Sequence, residues 1–179
     1  HAIRTTAGTK SVHAVDLDGD GDMDALSASY DADGIAWHEN DGNQNFSKHV
    51  IFVDPTNTAN DVYPIDVDGD GDLDVLSALY NADTIAWYEN DGNQNFVQHV
   101  ITDSADSAES VYAEDVDGDG DMDVLSASFT DNKIAWYENN GSQSFTAHTI
   151  STSMPGAFDV YAADVDSDGD IDVLGAAYD

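Results

Sequence analysis

The chain contains no cysteine, which excludes a disulfide framework and any thiolate metal site. Basic residues are almost as scarce: Lys and Arg number 4 against 37 Asp and Glu, for a formal net charge of -33. Such a chain repels nucleic-acid phosphates and anionic lipid head groups and attracts cations, so no nucleic acid is expected among its partners. There is no run of 18 apolar residues, so membrane insertion is not expected either. The opening His1-Ala2-Ile3-Arg4 lacks the apolar core of a signal peptide, which places any export signal outside this segment. No Gly-rich phosphate loop, no single nucleophile–base pair and no useful stretch of helical periodicity is present. Yet 41% of the 179 residues are hydrophobic, enough for a core rather than a disordered chain.

The acid is concentrated. Twenty of the 37 acidic residues fall in four nine-residue windows that begin at Asp16, Asp66, Asp115 and Asp164, spaced by 50, 49 and 49 residues. A surface made acidic for solubility or high salt spreads its charge, whereas metal loops gather it. Other features keep the same period. Ile35-Ala36-Trp37-His38-Glu39-Asn40 returns as Ile85-Ala86-Trp87-Tyr88-Glu89-Asn90 and Ile134-Ala135-Trp136-Tyr137-Glu138-Asn139. His49-Val50-Ile51 returns as His99-Val100-Ile101 and His148-Thr149-Ile150, and His1-Ala2-Ile3 reads as the same element of a preceding repeat.

Each repeat reads as four short strands. In the first repeat these are Val12–Val15, Ala25–Tyr30, the Ile-Ala-Trp segment and Phe46–Ile51, with period-two alternation in the third. Asp41-Gly42, Asp91-Gly92 and Asn140-Gly141 mark hairpin turns between the third and fourth. The expected fold is all-β: blades of a β-propeller, each a four-stranded antiparallel meander of about 49 residues. The second strands carry small residues on both faces, as in Leu26-Ser27-Ala28-Ser29, which suits sheets packed closely on both sides. The expected organisation is one array over 1–179: the end of a preceding blade at 1–3, repeats at about 11–51, 61–101 and 110–150, and a partial repeat at 159–179. The first and last blades are thus expected to be incomplete, an arc that associates with further copies or with the rest of a longer parent chain.

The windows place carboxylates at alternate positions of a tight loop: Asp16, Asp18, Asp20, Asp22, Asp24; Asp66, Asp68, Asp70, Asp72, Asp74; Asp115, Asp117, Asp119, Asp121, Asp123; and Asp164, Asp166, Asp168, Asp170, Asp172. Calcium takes six to eight hard oxygens at flexible distances, which this spacing supplies. Carboxylates at positions 1, 3, 5 and 9 are the expected ligands, with the position-7 carbonyl turned inward by Gly at position 6, for about four calcium ions per chain. An EF-hand would need Glu at position 12 and flanking helices; position 12 is Ser27, Ser77, Ser126 and Gly175, and each loop runs into a strand. Magnesium's strict octahedron and zinc's preference for nitrogen and sulfur suit these loops less well.

The D-x-D-G-D-G-D-x-D loop between strands one and two, in repeats of this length, resembles the FG-GAP/VCBS-type calcium-binding repeats of integrin α-subunit propellers and secreted bacterial propellers. The Phe-Gly-Gly-Ala-Pro stretch that names the family is absent, so calcium loop and blade carry the resemblance. It implies an extracellular or cell-surface propeller in which calcium rigidifies a scaffold for adhesion or ligand recognition. A carbohydrate-binding, lectin-like module and the non-catalytic part of a polysaccharide-degrading enzyme are the alternatives. No catalysis is expected, because every candidate carboxylate recurs in several copies, Glu39, Glu89 and Glu138 included.

The tryptophans read as inter-blade core rather than sugar platforms, and His49, His99 and His148 as cross-strand hydrogen-bonding groups rather than ligands. Meander topology puts the acidic loops and Asp-Gly turns on one rim. The divergent connections, such as 52–60 and 151–158, lie on the other, where a protein or glycan partner is expected.

Overall fold

A computed structural model describes residues 8–30 and 34–178; His1-Ala2-Ile3, read above as the end of a preceding blade, lies outside them. The described residues form fourteen strands in four antiparallel sheets. Sheet 1 holds β1 (Thr9–Val15), β2 (Asp24–Ser29), β3 (Ile35–Asn40) and β4 (Phe46–Phe52). Sheet 2 holds β5 (Ala59–Ile65), β6 (Asp74–Leu79), β7 (Thr84–Asn90) and β8 (Phe96–Thr102). Sheet 3 holds β9 (Ala108–Glu114), β10 (Asp123–Ser128), β11 (Lys133–Asn139) and β12 (Phe145–Ser151), and sheet 4 only β13 (Ala157–Ala163) and β14 (Asp172–Ala177). Within each sheet the strands follow chain order. The first sheet is thus a full meander, and only the last is short of strands among the described residues.

Two local features differ from the strands read in the sequence. Strand two begins at the last aspartate of each window, because that residue pairs across the hairpin: Val15 with Asp24, Ile65 with Asp74, Glu114 with Asp123, Ala163 with Asp172. A three-residue 3-10 turn, Tyr80–Ala82, interrupts the otherwise all-strand pattern.

The sheets pack face to face. Leu26, Ile35 and Trp37 of sheet 1 share a cluster with Val62, Val75 and Tyr88 of sheet 2. Leu76, Ile85 and Trp87 of sheet 2 do the same with Val111, Val124 and Tyr137 of sheet 3, and Leu125 and Ile134 of sheet 3 with Val160 and Ala162 of sheet 4. Ala28, Ala78 and Ala127 are wholly buried; their small side chains let successive sheets approach. Burying each Leu or Val contributes roughly 1.5–3 kcal/mol, so the stack is held by its repeated apolar seams. Strands β1, β5, β9 and β13 lie beside one another in that order. Their side chains form an aromatic row, Tyr63 to Tyr112 at 4.9 Å and Tyr112 to Tyr161 at 4.6 Å, with His13 edge-on to Tyr63 at 5.6 Å.

The outer strands carry a second recurring contact. His49, His99 and His148 each place Nε2 2.7 Å from a carboxylate oxygen of Glu39, Glu89 or Glu138. Each imidazole also stacks on the tryptophan opposite it, with centroids 4.5–4.7 Å apart. The cross-strand role expected for these histidines is the one the structure gives them. Trp37 and Trp87 are 4% and 3% exposed, as a core role requires, whereas Trp136 is only partly buried and lies outside the core clusters.

Candidate metal centres

Each acidic window folds back on its own first carboxylate. Asp66 accepts the N–H of Gly69 at 2.8 Å and of Gly71 at 3.0 Å, and Asp115 accepts those of Gly118, Asp119 and Gly120. Asp164 binds Ser167, Asp168 and Gly169 likewise. The position-3 carboxylate accepts the N–H two residues on, and so does the position-5 carboxylate, as from Asp20 to Asp18 and from Asp22 to Asp20. These are Asx-type turns, which coil the loop tightly and turn successive oxygens inward. Position 6 makes the coil possible: Gly21, Gly71, Gly120 and Gly169 sit at φ 97–99°, a region other residues rarely enter.

The position-9 carboxylate ties the loop to the sheet. Asp74 accepts the Val67 N–H at 3.0 Å through one oxygen and the Asn90 N–H, from the end of β7, at 2.8 Å through the other. Asp24 and Asp123 repeat this with Leu17 and Asn40, and with Val116 and Asn139. The asparagine closes the circuit. Asn40, Asn90 and Asn139 donate through Nδ2 to the position-8 carbonyls of Met23, Leu73 and Met122. They accept through Oδ1 the N–H of Gln44, Gln94 and Gln143 in the next turn. Sequence reading quoted these asparagines without assigning them a role; the available signal was their threefold recurrence just before the turn.

The position-7 carboxylates occupy a different place from the rest. Asp22, Asp72 and Asp121 lie against Gly42, Gly92 and Gly141, where a Cβ would come within 2.4–2.5 Å of a carboxylate oxygen. The left-handed φ of 71–73° is what requires glycine at these turns, and the missing Cβ lets the carboxylate rest against them. Loops and turns do share one rim, as the meander argument requires.

Four aspartate triads could hold a metal ion: Asp16, Asp18 and Asp24; Asp66, Asp68 and Asp70; Asp115, Asp117 and Asp123; Asp164, Asp166 and Asp172. Within each, one oxygen per residue lies within 4.8 Å of the others. Positions 1 and 3 appear in all four, position 9 in three, and position 5 in the second. The donor set fits a hard cation, being all carboxylate. Asp16 Oδ1 is buried with no hydrogen-bond partner, an arrangement that a cation would satisfy and an apolar surrounding would not. The electrostatics agree. Burial first, then the charges of Asp68 and Asp66, push Asp74 up to about 7. Burial likewise raises Asp18, Asp68 and Asp123, with neighbouring carboxylates adding to it.

Beside the loops, a cavity of about 300 Å³ opens between sheets 2 and 3, lined by Asp66 and Asp68 on one side and Asp121, Met122 and Gln143 on the other. On the opposite rim, Asp83 and Asn132 take left-handed φ of 54° and 57°. Each holds the following connection by main chain and side chain, Asp83 to Ala105 and Ser107, Asn132 to Met154 and Gly156. No helix of the described residues is long and apolar enough to cross a membrane.

None of the curated proteins matches this chain. Among solved structures it is similar to an Agrocybe aegerita lectin, whose structure is described as the basis of specific recognition of non-reducing terminal N-acetylglucosamine. The TM-score is 0.63 at 18% identity, covering 94% of this chain and 47% of the lectin. At that identity the likeness shows the fold alone, and the chain spans about half the length of that protein. A family model described as an FG-GAP-like repeat matches residues 16–77, 66–126 and 115–175, each match running from one acidic loop through the next. With three overlapping matches across 16–175, the chain belongs to the FG-GAP-like repeat family.

Proposed function

We propose that the four sheets are calcium-binding propeller blades of an extracellular or cell-surface protein, in which calcium stiffens a scaffold for adhesion or ligand recognition. The observation that carries this reading is the set of four aspartate triads in register, one per repeat. Calcium would sit among the carboxylates of positions 1, 3 and 9, with position 5 contributing, and would neutralise charge that otherwise destabilises each hairpin. Function on this reading is binding, without turnover of a substrate. The divergent connections clamped by Asp83 and Asn132 offer a rigid platform for a partner.

Chelation tests it. At low ionic strength, EDTA should lower the melting temperature, and titration should show four calcium equivalents per chain. Each site contributes about 2.7 kcal/mol at a hundredfold excess over Kd. A melting temperature insensitive to chelator, or fully restored by sodium chloride alone, would point instead to a salt-adapted acidic surface.

A glycan ligand is the second reading. The cavity between sheets 2 and 3 combines carboxylates, an amide and a methionine side chain, the mixture of hydrogen-bonding and apolar groups a sugar ring uses. The lectin described above supports it by fold. A glycan array on the calcium-loaded protein separates the two: no glycan binding leaves protein adhesion as the remaining role.

A further inference from the structure

Three of the acidic loops have a tryptophan beside them on the third strand. Trp37 pairs with Leu26, Trp87 with Leu76 and Trp136 with Leu125. Side chains alternate along a strand, so each indole shares a face with the position-9 aspartate two residues before that leucine: Asp24, Asp74 or Asp123. The outer strand holds the ring in place. His49, His99 or His148 stacks on it, and each imidazole is fixed in turn by Glu39, Glu89 or Glu138 at 2.7 Å.

The three rings match in register, yet their nitrogens differ. Nε1 of Trp37 and of Trp136 is buried without a hydrogen-bond partner, and Nε1 of Trp87 is not in that state. A buried donor left unpaired is costly, so it marks a place where an acceptor is wanted. For Trp136 the acceptor at hand is Asp123, whose ionised form its N–H favours against burial.

The aspartate triads divide in the same way. In repeats 1 and 3 the oxygens that converge come from positions 1, 3 and 9, whereas in repeat 2 position 5 stands in for position 9. The two backbone amides on the position-9 carboxylate are common to all three repeats, so they do not account for the difference. The state of the indole nitrogen varies with it. In repeat 4 position 9 joins the triad on an exposed Asp172, where there is no burial to offset. Acceptor capacity is sufficient: an ionised carboxylate offers about four lone-pair sites, and two amides leave room for an indole N–H and a cation.

We propose that the indole N–H of Trp37 and of Trp136 is an outer-shell donor to the position-9 carboxylate, holding it toward the metal in repeats 1 and 3, while repeat 2 does without this device. The inference rests on the calcium reading above and gives the recurring histidine–glutamate pairs a task, which is to fix the plane of the indole. Trp37 and Trp136 are thus positioning residues.

Replacing Trp136 by β-(3-benzothienyl)alanine tests the proposal, because it keeps the fused ring and its stacking on His148 and removes only the N–H. Calorimetric titration of the full chain with calcium should show one site weakened by about 10–100-fold, the range for loss of an outer-shell partner. The same replacement at Trp87 should leave every site as it was. In isotope-labelled wild-type protein, calcium should shift the indole N–H resonances of Trp37 and Trp136 and slow their exchange with water, with a smaller response at Trp87. The replacement at Trp37 serves if the Trp136 variant fails to fold, as judged by circular dichroism. Unchanged calcium affinity in the Trp136 or Trp37 variant, or an equal loss at Trp87, would overturn the donor role and leave the calcium reading standing. A wild-type chain that binds no calcium would overturn both.

Discussion

Repeats 1 to 3 and repeat 4 carry the same acidic loop, with the same aspartate spacing and the same glycine at position 6, but the loop is anchored differently. Asp24, Asp74 and Asp123 are buried and each accepts two backbone N–H groups, one from its own loop and one from the end of strand three. Asp172 is exposed and accepts only the Val165 N–H among the described contacts. Its hairpin has no third strand beside it among the described residues. The difference teaches that coiling of the loop is local, since Asp164 still gathers its three amides. Clamping the loop to the sheet is a tertiary property supplied by strand three and its asparagine.

The comparison breaks most visibly in the apolar seams. Leu125→Ala should cost about 2–5 kcal/mol in urea unfolding, the range for an enclosed core leucine. Leu174→Ala should cost less than about 1 kcal/mol at concentrations where the chain is monomeric, since its site is already open. Equal losses at the two positions would mean that sheet 4 is as enclosed as sheet 3.

The loops themselves give the next effect. In calcium-free protein, Asp123→Ala strands two buried N–H groups, at about 1–3 kcal/mol each. Asp172→Ala should stay within about 0.5 kcal/mol there. With calcium present both variants should bind three equivalents instead of four, which tests whether position 9 is a ligand as well as a clamp.

A further effect concerns acid. Asp74 titrates near 7 in the folded chain and near 3.9 when unfolded. The folded state therefore holds the extra proton between those values. In the chelated protein this contribution to stability is fully present below about pH 4 and is lost as pH rises through about 7. Asp74→Asn should flatten that part of the profile. Saturating calcium should reverse its sign, because a bound cation favours the ionised carboxylates.

Most of this architecture was legible in the residues. Hairpin turns, strand alternation and the 49-residue period placed the strands of each repeat, because those signals are local and recur several times. The histidine–glutamate contacts were legible in kind, since residues at matching depth on adjacent strands must meet. Three things were not. Position 9 looked like another ligand because nothing in the window says that it also accepts the Asn90 amide sixteen residues away. The position-7 carboxylates look equivalent to their neighbours, yet the turn glycines receive them. The open face at Val12 was invisible because its segment matches buried ones in the later repeats, whereas exposure on the last sheet followed from its missing strands.

What the chain determined unaided is what short-range chemistry dictates: alternating carboxylates with a permissive glycine coil a loop, and alternating small and apolar residues make a strand buried on both faces. What only the tertiary structure decided is which copies of those identical segments are enclosed. Burial depends on the neighbour across the seam rather than on the segment, so Leu125 and Leu174 share a local context and differ from wholly buried to 44% exposed.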